Sequence, residues 1–381
     1  MISYGKHAVD QADIDAVVEV LENQFLTQGA VVPQFEIALC EYTGAKYCTA
    51  VNSATSGLHV ACLAAGVGDG DIVWTVPNSF VASANCALFC GATVDFVDID
   101  SQTRNICVTQ LAIKLKQAEQ AGKLPKALIV VHFSGLSCDM QNISKLVKPY
   151  GIILIEDAAH ALGGVYQEQK IGSCQFSDMA VLSFHPVKSI TSAEGGAILT
   201  NCPPFAEKIQ LYAKHGVTRD PNLMQGENHG PWYYQQVTLG YNYRLSDVHA
   251  ALGLSQLKKL DSFIAKRLER AQVYQKALAY LPLRLPSVEY FATSAWHLYM
   301  VELTHHDRKD VYQKLHEMGV GVNVHYIPIH LQPYYQNMGF QVGDFPNSEG
   351  FYNNALTLPL YPTLTVTEQQ TVIDALEQVL V

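Results

Sequence analysis

The sequence has little positive charge. Its 25 Lys and Arg residues stand against 35 Asp and Glu residues, so the formal net charge is −10 at pH 7. A chain with this balance has no general electrostatic field to attract nucleic acid or an anionic membrane. We therefore expect no nucleic-acid partner, and an anionic ligand must be held by local groups.

Long hydrophobic runs are also absent. The strongest runs, "ALIVV" and "GIILI", are far shorter than the ~20 residues that a membrane-spanning helix needs. The first residues, "MISYGKHAVDQADIDAV", do not show the basic segment and apolar stretch of a secretory signal peptide. We therefore expect a cytoplasmic protein that does not enter a membrane.

The nine cysteines form no CxxC pair. Cys86 and Cys90 are the closest two, and on a helix they would share one face, where they could bind a metal. The favoured interpretation is that they are small apolar core residues. Because the set is odd and scattered, it is typical of reduced thiols inside a cell, and we expect no metal site.

Six short apolar runs dominate the central part of the chain. They cover residues 71–77, 93–99, 126–133, 151–159, 179–185 and 196–201. Continuous rather than alternating hydrophobicity is typical of strands that are buried on both faces of a sheet. Helical patterns such as 142–150 lie between them. This alternation predicts an α/β layered domain around a mostly parallel sheet.

The pattern changes near residue 246. Ser246 is a suitable N-cap for a long helix. The sequence then predicts a strand at 295–303, a helix at 307–319, a strand at 320–329 and a final helix at 365–381, in which Thr367 and Gln370 fit a capping box. We predict a large domain over residues 1–250 and a smaller α+β domain over residues 251–381.

A single amine follows a buried strand in "VLSFHPVKSITSAEGGAILTN" (181–201). Lys188 would lie in a loop at the mouth of the sheet, where a primary amine can form a Schiff base with an aldehyde. A surface lysine is the alternative interpretation. The aldehyde cofactor that enzymes hold in this way is pyridoxal 5′-phosphate (PLP). It requires a carboxylate at its ring nitrogen, a phosphate cradle and a flat side chain over the ring.

Asp157 is the candidate for the carboxylate. It ends the strand predicted at 151–159, at the edge where open α/β sheets bind ligands. A buried carboxylate needs a partner, and a protonated pyridine nitrogen would provide one. Glu156 would point to the opposite side of the strand. The alternative is that Asp157 caps a following helix.

The stretch "NSATSGLHVACLAAG" (52–66) is the candidate phosphate cradle. Asn52 or Ser53 can cap a helix whose first N–H groups, at Ala54 and Thr55, attract an anion. Ser183 could add a hydroxyl group. Phe80 follows a predicted strand and could stack on the pyridine ring, although it could equally be a core residue.

Taken together, these motifs resemble those of one family. "FLTQG", "NSATSGL", "EDAAHALGG", "SFHPVKSITSAEGG" and "GYNYRLSDVHAALGLSQL" stand in the order and spacing of the DegT/DnrJ/EryC1/StrS sugar aminotransferases. The resemblance runs from Tyr4 to the last helix. It implies PLP as cofactor and fold type I, with the α/β architecture of aspartate aminotransferase: a large, mostly parallel-sheet domain and a smaller C-terminal α+β domain.

The resemblance also implies roles for individual residues. Lys188 matches the Schiff-base lysine and proton carrier, Asp157 the partner of the ring nitrogen, and His160 a position near the cofactor's 3′-oxygen where many relatives have Gln. The other matching cofactor contacts are Ala54, Thr55 and Ser183 at the phosphate and Phe80 at the ring. Asn242 matches a residue that reaches the neighbouring subunit's cofactor phosphate, which implies a homodimer with shared sites.

The substrates implied are L-glutamate and a UDP-linked 4-keto-6-deoxy-N-acetylhexosamine, which is aminated at C4. The positions that match substrate contacts are Tyr4, Gln24, Phe25, Leu26, Thr27, Ala54, Asn242, Arg244, His325, Tyr326, Ile327 and Pro328. Arg244 could meet the diphosphate, or it could form a structural ion pair instead.

Three other functions stay open. Some relatives are sugar 3-dehydratases, but in those a His replaces the Schiff-base lysine. The acceptor could instead be a dTDP- or GDP-linked sugar, or a 3-keto sugar. The chain could also be a non-catalytic protein that binds a sugar nucleotide, although the presence of Lys188 and Asp157 favours an enzyme.

Overall fold

The computed structural model of the protein describes residues 1–289 and 291–381. Its α-helices are α1 (Gln11–Asn23), α2 (Val31–Thr43), α3 (Ala54–Ala64), α4 (Ala82–Phe89), α5 (Val108–Ala121), α6 (Met140–Val147), α7 (Pro203–Ala213), α8 (Asp247–Leu257), α9 (Leu260–Ala277), α10 (Arg308–Glu317), α11 (Pro333–Gln336), α12 (Pro346–Asn354) and α13 (Val366–Leu380). Its strands are β1 (Tyr47–Val51), β2 (Ile72–Thr75), β3 (Thr93–Phe96), β4 (Ala127–Val131), β5 (Ile153–Asp157), β6 (Val165–Tyr166), β7 (Gln169–Lys170), β8 (Met179–Ser183), β9 (Gly196–Thr200), β10 (Val217–Thr218), β11 (Gln235–Gln236), β12 (Leu283–Arg284), β13 (Ala292–Thr293), β14 (Tyr299–Leu303) and β15 (Ala355–Leu358).

The main sheet has seven strands in the order β1-β9-β8-β5-β4-β2-β3. Neighbours from β8 through β5, β4 and β2 to β3 are parallel, whereas β9 pairs antiparallel with both β8 and β1. The six strands predicted from the apolar runs are therefore confirmed, and so is the mostly parallel α/β sheet. Strand β1 was not predicted.

Both faces of this sheet are covered. Along β4, Ala127 and Ile129 face a core shared with α3, α4 and α7, and Leu128 and Val130 face the core on the other side, with α2, α5 and α6. Every residue of β4, β8 and β9 is buried. This two-sided burial explains why these strands read as continuous apolar runs.

The C-terminal part contains a second sheet, β12-β14-β15, with a core of its own that includes residues of α9, α10 and α13. The predicted strand at 320–329 is wrong. Val320 and Asn323 form only isolated bridges, to Ile2 and Thr357, and the chain then turns into a 3₁₀ helix at Ile329–Leu331. Pro328, just before that turn, has no N–H for a ladder.

The predicted capping box at Thr367 and Gln370 is also wrong. The box forms two residues earlier, between Thr365 and Glu368. Thr365 has the extended backbone that an N-cap requires (φ −76°, ψ 160°), whereas Thr367 already lies inside α13. The N-cap at Ser246 is confirmed, since its side chain accepts from the N–H of His249.

The predicted boundary between residues 250 and 251 lies inside α8, a helix that packs against α1 and α2. The division into two domains stays a prediction. Within residues 1–289 and 291–381, none of the helices has the length and hydrophobicity needed to cross a bilayer.

Candidate active site

Lys188 lies in the loop that joins β8 to β9. The loop is tied to the end of β8, because Phe184 O accepts from the N–H of Ser192 (2.9 Å) and the hydroxyl of Thr191 (3.1 Å). Lys188 N donates to His185 O at 2.9 Å. The amine itself makes no hydrogen bond to any residue that the structure describes, so it is free to react.

Lys188 is half-buried and not a fully exposed surface lysine. Burial lowers the pKa of Lys188 to about 8, although the carboxylate of Asp157 opposes this. A lowered pKa is what an amine needs if it is to accept a proton near neutral pH. Burial is its cause; a nearby positive charge, which we also expected to contribute, is not found in the described residues.

Asp157 ends β5, beside Val181 of β8, and is 5% exposed. Its Oδ2 accepts from the hydroxyl of Ser83 at 2.6 Å and its Oδ1 from the N–H of Ala159 at 3.1 Å. No cation lies within 4 Å of the carboxylate in the described part of the chain. A turn, not a helix, follows Asp157, so the helix-cap alternative does not hold.

Glu156 points to the other side of β5, as expected. It contacts His132 Nε2 at 2.6 Å and accepts from the hydroxyl of Ser177 at 2.5 Å. The two neighbouring carboxylates therefore have different surroundings. Glu156 is paired with a histidine inside the protein, whereas the hydrogen bonds that Asp157 accepts from the described residues come from neutral donors only.

The N-terminus of α3 lies beside the end of β8. Ser53 is the N-cap and accepts from the N–H of Ser56 at 3.1 Å, which leaves the N–H groups of Ala54 and Thr55 at the open end of the helix. Gly196, paired with Ser183 across β8 and β9, touches this end: a β-carbon at 196 would stand 2.6 Å from Ala54 N. Ser183 and the α3 N-terminus therefore meet at one place.

Phe80 is not a core residue, since its ring is 57% exposed. Its centroid lies 6.2 Å from that of Tyr326. Tyr326 in turn contacts the ring of His325 (4.8 Å), and His325 contacts Tyr4 (5.2 Å). Ring contacts thus connect three of the predicted substrate residues with the predicted stacking residue.

His160 is 6% exposed and lies between Ser134 and Tyr326. Its Nδ1 accepts from Ser134 N–H at 3.3 Å, and its Nε2 is 3.3 Å from the Tyr326 hydroxyl. The ring of His297, which the sequence did not suggest, lies 4.4 Å from that of His160. Burial and the charge of Lys188 hold the pKa of both histidines well below the usual value, so both are neutral.

The segment Gln24, Phe25, Leu26 and Thr27 is exposed and is anchored by Asp247. Asp247, which is fully buried, accepts from the N–H groups of Gly29, Val31 and Val32 at 2.8–3.1 Å, and Leu26 O accepts from Asp247 N. In the described residues, no hydrogen bond or ring contact joins this segment to Lys188, Asp157 or Phe80.

Asn242 and Arg244 lie on the strand-like segment that flanks β1. Asn242 is exposed, and Arg244 forms a backbone bridge with Val51, next to the α3 N-terminus. Over the ranges that the structure describes, the Arg244 side chain has no ion pair, so the structural ion pair considered as its alternative role is not found. Ile327 is exposed and Pro328 is buried.

Sequence reasoning missed three residues of this region: Ser83, His297 and Asp247. Ser83 is one turn from Ser79 on the polar end of α4, and the two hydroxyls are 2.7 Å apart. That i, i+4 spacing was a usable signal. Asp247 contacts residues more than two hundred positions away, and His297 contacts His160 more than one hundred positions away, and no local pattern reveals such contacts.

Comparisons with known proteins agree with this geometry. Residues 7–377 match the model of the DegT/DnrJ/EryC1/StrS aminotransferase family. A UDP-4-amino-4,6-dideoxy-N-acetyl-beta-L-altrosamine transaminase of Campylobacter jejuni is 38% identical, covering 100% of this chain and 98% of the relative. The spore coat polysaccharide biosynthesis protein SpsC of Bacillus subtilis is 37% identical, over 99% of this chain and 97% of the relative.

Solved structures show the same likeness. Helicobacter pylori PseC, an aminotransferase of pseudaminic acid biosynthesis, has a TM-score of 0.89 and 32% identity, covering 100% of this chain and 99% of that one. A Streptococcus pneumoniae protein assigned as a sugar aminotransferase, in its PMP form, has a TM-score of 0.91 and 28% identity, with coverage of 100% and 99%.

The fold and the site therefore define a PLP-dependent sugar aminotransferase of fold type I. The chain belongs to the DegT/DnrJ/EryC1/StrS aminotransferase family. Its cofactor is PLP.

The residues present fit this cofactor. Within the described residues, Asp157 is a buried carboxylate with no cation within 4 Å, and the Lys188 amine makes no hydrogen bond, while Phe80 is an exposed aromatic ring. The α3 N-terminus and Ser183 offer donors for a phosphate. In the same described residues, no cluster of three or more His, Cys, Asp or Glu is placed to bind a metal.

Proposed function

We propose that the protein transfers the amino group of L-glutamate to C4 of UDP-2-acetamido-2,6-dideoxy-β-L-arabino-hex-4-ulose, in pseudaminic acid biosynthesis. The observation that carries the amino transfer is the half-buried amine of Lys188, which makes no hydrogen bond to the described residues and interacts electrostatically with the buried carboxylate of Asp157. The sugar is supported by the names of the Campylobacter jejuni and Helicobacter pylori relatives.

When bound, PLP supplies an aldehyde that amines attack and a ring that takes up the electron pair of a broken C–H bond. In our proposal Lys188 Nζ removes the proton from the α-carbon of glutamate and later delivers a proton to C4 of the sugar. Because its pKa is lowered to about 8, the amine is neutral in a far larger fraction at pH 7–8 than a solvated lysine.

Asp157 would keep the ring nitrogen of bound PLP protonated, and the Ser83 hydroxyl holds the carboxylate in place. Ala54, Thr55 and Ser183 would hold the phosphate, and Phe80 would cover the ring. His160 lies at the edge of the same site. One base thus serves both half-reactions, so we expect ping-pong kinetics with parallel double-reciprocal lines.

For the nucleotide sugar we propose contacts from Tyr4, the segment 24–27, Arg244 and residues 325–328. Asn242 would complete the site of a second copy, in a homodimer. The exposure of Asn242, and of Phe25 (79%) and Leu26 (51%), supports this assignment, because exposed side chains are available to a second copy.

The test is an amino-transfer assay with the purified holoenzyme, L-glutamate and a panel of UDP-, dTDP- and GDP-linked 4-keto-6-deoxy sugars together with a 3-keto sugar. We expect the UDP-linked N-acetyl sugar to be aminated with the highest kcat/KM, and a Lys188→Ala control to be inactive. Equal kcat/KM values on the dTDP sugars would remove the proposed substrate but leave the aminotransferase assignment.

Two other functions predict different results. A sugar 3-dehydratase would release a dehydrated sugar without consuming glutamate. A non-catalytic binding protein would bind the nucleotide sugar but convert neither substrate. The presence of the amine at position 188, with its lowered pKa, favours transamination over both.

A further inference from the structure

The two ring nitrogens of His160 have different partners. Nδ1 accepts the backbone N–H of Ser134 at 3.3 Å and so carries no proton. The single proton of a neutral imidazole must then be on Nε2, which is 3.3 Å from the Tyr326 oxygen. His160 therefore donates to Tyr326. Burial and the charge of Lys188 keep the imidazole neutral, and the ring of His297, 4.4 Å away, packs against it.

This arrangement leaves the hydrogen of the Tyr326 hydroxyl group without an acceptor in the residues that the structure describes. The Tyr326 ring is half-buried, 6.2 Å from Phe80 and 4.8 Å from His325. Burial raises the pKa of Tyr326, so its phenol remains protonated. Its hydroxyl hydrogen is therefore available to the site as a hydrogen-bond donor. Phe80, the neighbour of this tyrosine ring, is 57% exposed, and we place the cofactor ring against it.

We propose that the Tyr326 hydroxyl donates a hydrogen bond to the phenolic oxygen of the cofactor ring, and that His160 is the positioning residue that holds this hydroxyl. The inference rests on the cofactor site proposed above. It assigns to His160 no direct contact with the cofactor and no proton transfer.

The same geometry identifies the substitution that should conserve the role. A glutamine at position 160 has an acceptor oxygen for the Ser134 N–H and a donor N–H for Tyr326. A leucine has neither group but a similar bulk. His160→Gln is therefore the matched control for His160→Leu.

The first experiment measures binding of PLP to the apo chain by the visible absorbance of the bound cofactor. We expect Tyr326→Phe and His160→Leu each to raise the dissociation constant about tenfold, as loss of one hydrogen bond to a charged oxygen would. His160→Gln should stay within about twofold of the unchanged chain. The double variant His160→Leu/Tyr326→Phe should bind no more weakly than Tyr326→Phe alone, since His160 acts through Tyr326.

Two results would overturn the proposal. If His160→Leu still weakens binding in the Tyr326→Phe background, His160 contacts the cofactor itself. If Tyr326→Phe leaves PLP binding unchanged but raises the glutamate concentration needed to convert the bound cofactor, the acceptor is a carboxylate oxygen of the amino donor. Thermal unfolding of each apo variant controls for loss of fold.

A second readout does not involve the cofactor. In apo protein labelled with ¹⁵N-histidine, we expect the His160 resonances, assigned by their loss in His160→Gln, to show a neutral ring with its proton on Nε2. A proton on Nδ1, or a cationic ring at pH 7, would contradict the inference while leaving the proposed aminotransferase function untouched.

Discussion

Gly196 touches the first residue of α3: a β-carbon on Gly196 would stand 2.6 Å from Ala54 N and 2.7 Å from the carbonyl carbon of Ser53. Real β-carbons do not approach backbone atoms so closely, and backbone cannot swing aside as a side chain can. The helix end that we assign to the cofactor phosphate therefore requires glycine at position 196 of β9.

Gly196→Ala should displace the α3 N-terminus. We expect weaker PLP binding and a loss of about 1–3 kcal/mol in the free energy of unfolding. Gly68→Ala is the matched control, because a β-carbon there has no neighbour within 4 Å, and it should change neither quantity. Titration of both apo variants with PLP measures cofactor binding, and urea unfolding measures stability. Equal PLP binding and equal stability of the two variants would refute the assignment of the α3 N-terminus to the cofactor phosphate.

Lys188→Met should stabilise the apo protein at neutral pH. Burial lowers the pKa of Lys188 from 10.5 to about 8 in the folded chain. The unfolded chain therefore binds the proton more strongly, and the stability cost of the buried ammonium is fully present below pH 8. We expect the variant to be more stable by about 1–3 kcal/mol at pH 7.

The same linkage sets a pH window. As pH rises from about 8 toward 10.5, the folded chain loses this proton before the unfolded chain does. The free energy of unfolding of the unchanged protein therefore rises, and its difference from that of the variant becomes smaller. Urea unfolding of both apo proteins from pH 6.5 to 10.5 checks this. A difference that is constant across the range would show that the amine is solvated.

Asp157→Asn should uncouple cofactor binding from catalysis. The Ala159 N–H can still donate to the amide oxygen, and the Ser83 hydroxyl can accept from the amide N–H, so the fold should persist, but the charge that would keep the ring nitrogen protonated is lost. We expect kcat to fall about 10²–10³-fold with a shift of the visible absorbance. The control is Glu156→Gln on the other side of β5: it should lower stability through the His132 contact and leave the cofactor spectrum unchanged.

Mixing two inactive variants tests whether sites are shared between copies. A Lys188→Ala chain can supply Asn242 to its partner, and an Asn242→Ala chain keeps Lys188, so a mixed dimer would hold one intact site. When equal amounts of the two chains are unfolded, mixed and refolded together, about half of the dimers should be mixed, each with one intact site of two. About a quarter of the original activity should therefore return. No recovery, with dimers present by sedimentation, would exclude a contribution of Asn242 across the interface.

The parts of the fold that sequence could predict are those set by local chemistry. Strands β4, β8 and β9 are buried throughout, so their hydrophobicity is continuous and easy to recognise. Strand β1, "YCTAV", is short and begins with an exposed Tyr47, and it was missed. The run at 320–329 looked like a strand because of its valines, but in the described residues its strand-type pairing is limited to isolated bridges at Val320 and Asn323.

In the candidate site, too, sequence predicts the residues that a local pattern marks and misses those that depend on distant contacts. Lys188 and Asp157 stand at the ends of recognisable strands, and Ser53 is a recognisable helix cap, so they could be proposed from sequence. Asp247 holds the backbone of Gly29 and Val31 across more than two hundred residues. His297 belongs to a strand-like run and reaches His160 only through the fold. Contacts of this kind depend on the packing of whole elements.

The account depends on a covalent bond between Lys188 and the cofactor aldehyde. Borohydride reduction of the chain saturated with PLP, followed by peptide mass mapping, measures it directly. We expect the visible band to disappear and a single reduced pyridoxyl group to be found on Lys188, within residues 181–201. A pyridoxyl group on another lysine, or a band that persists with Lys188 unmodified, would contradict the account.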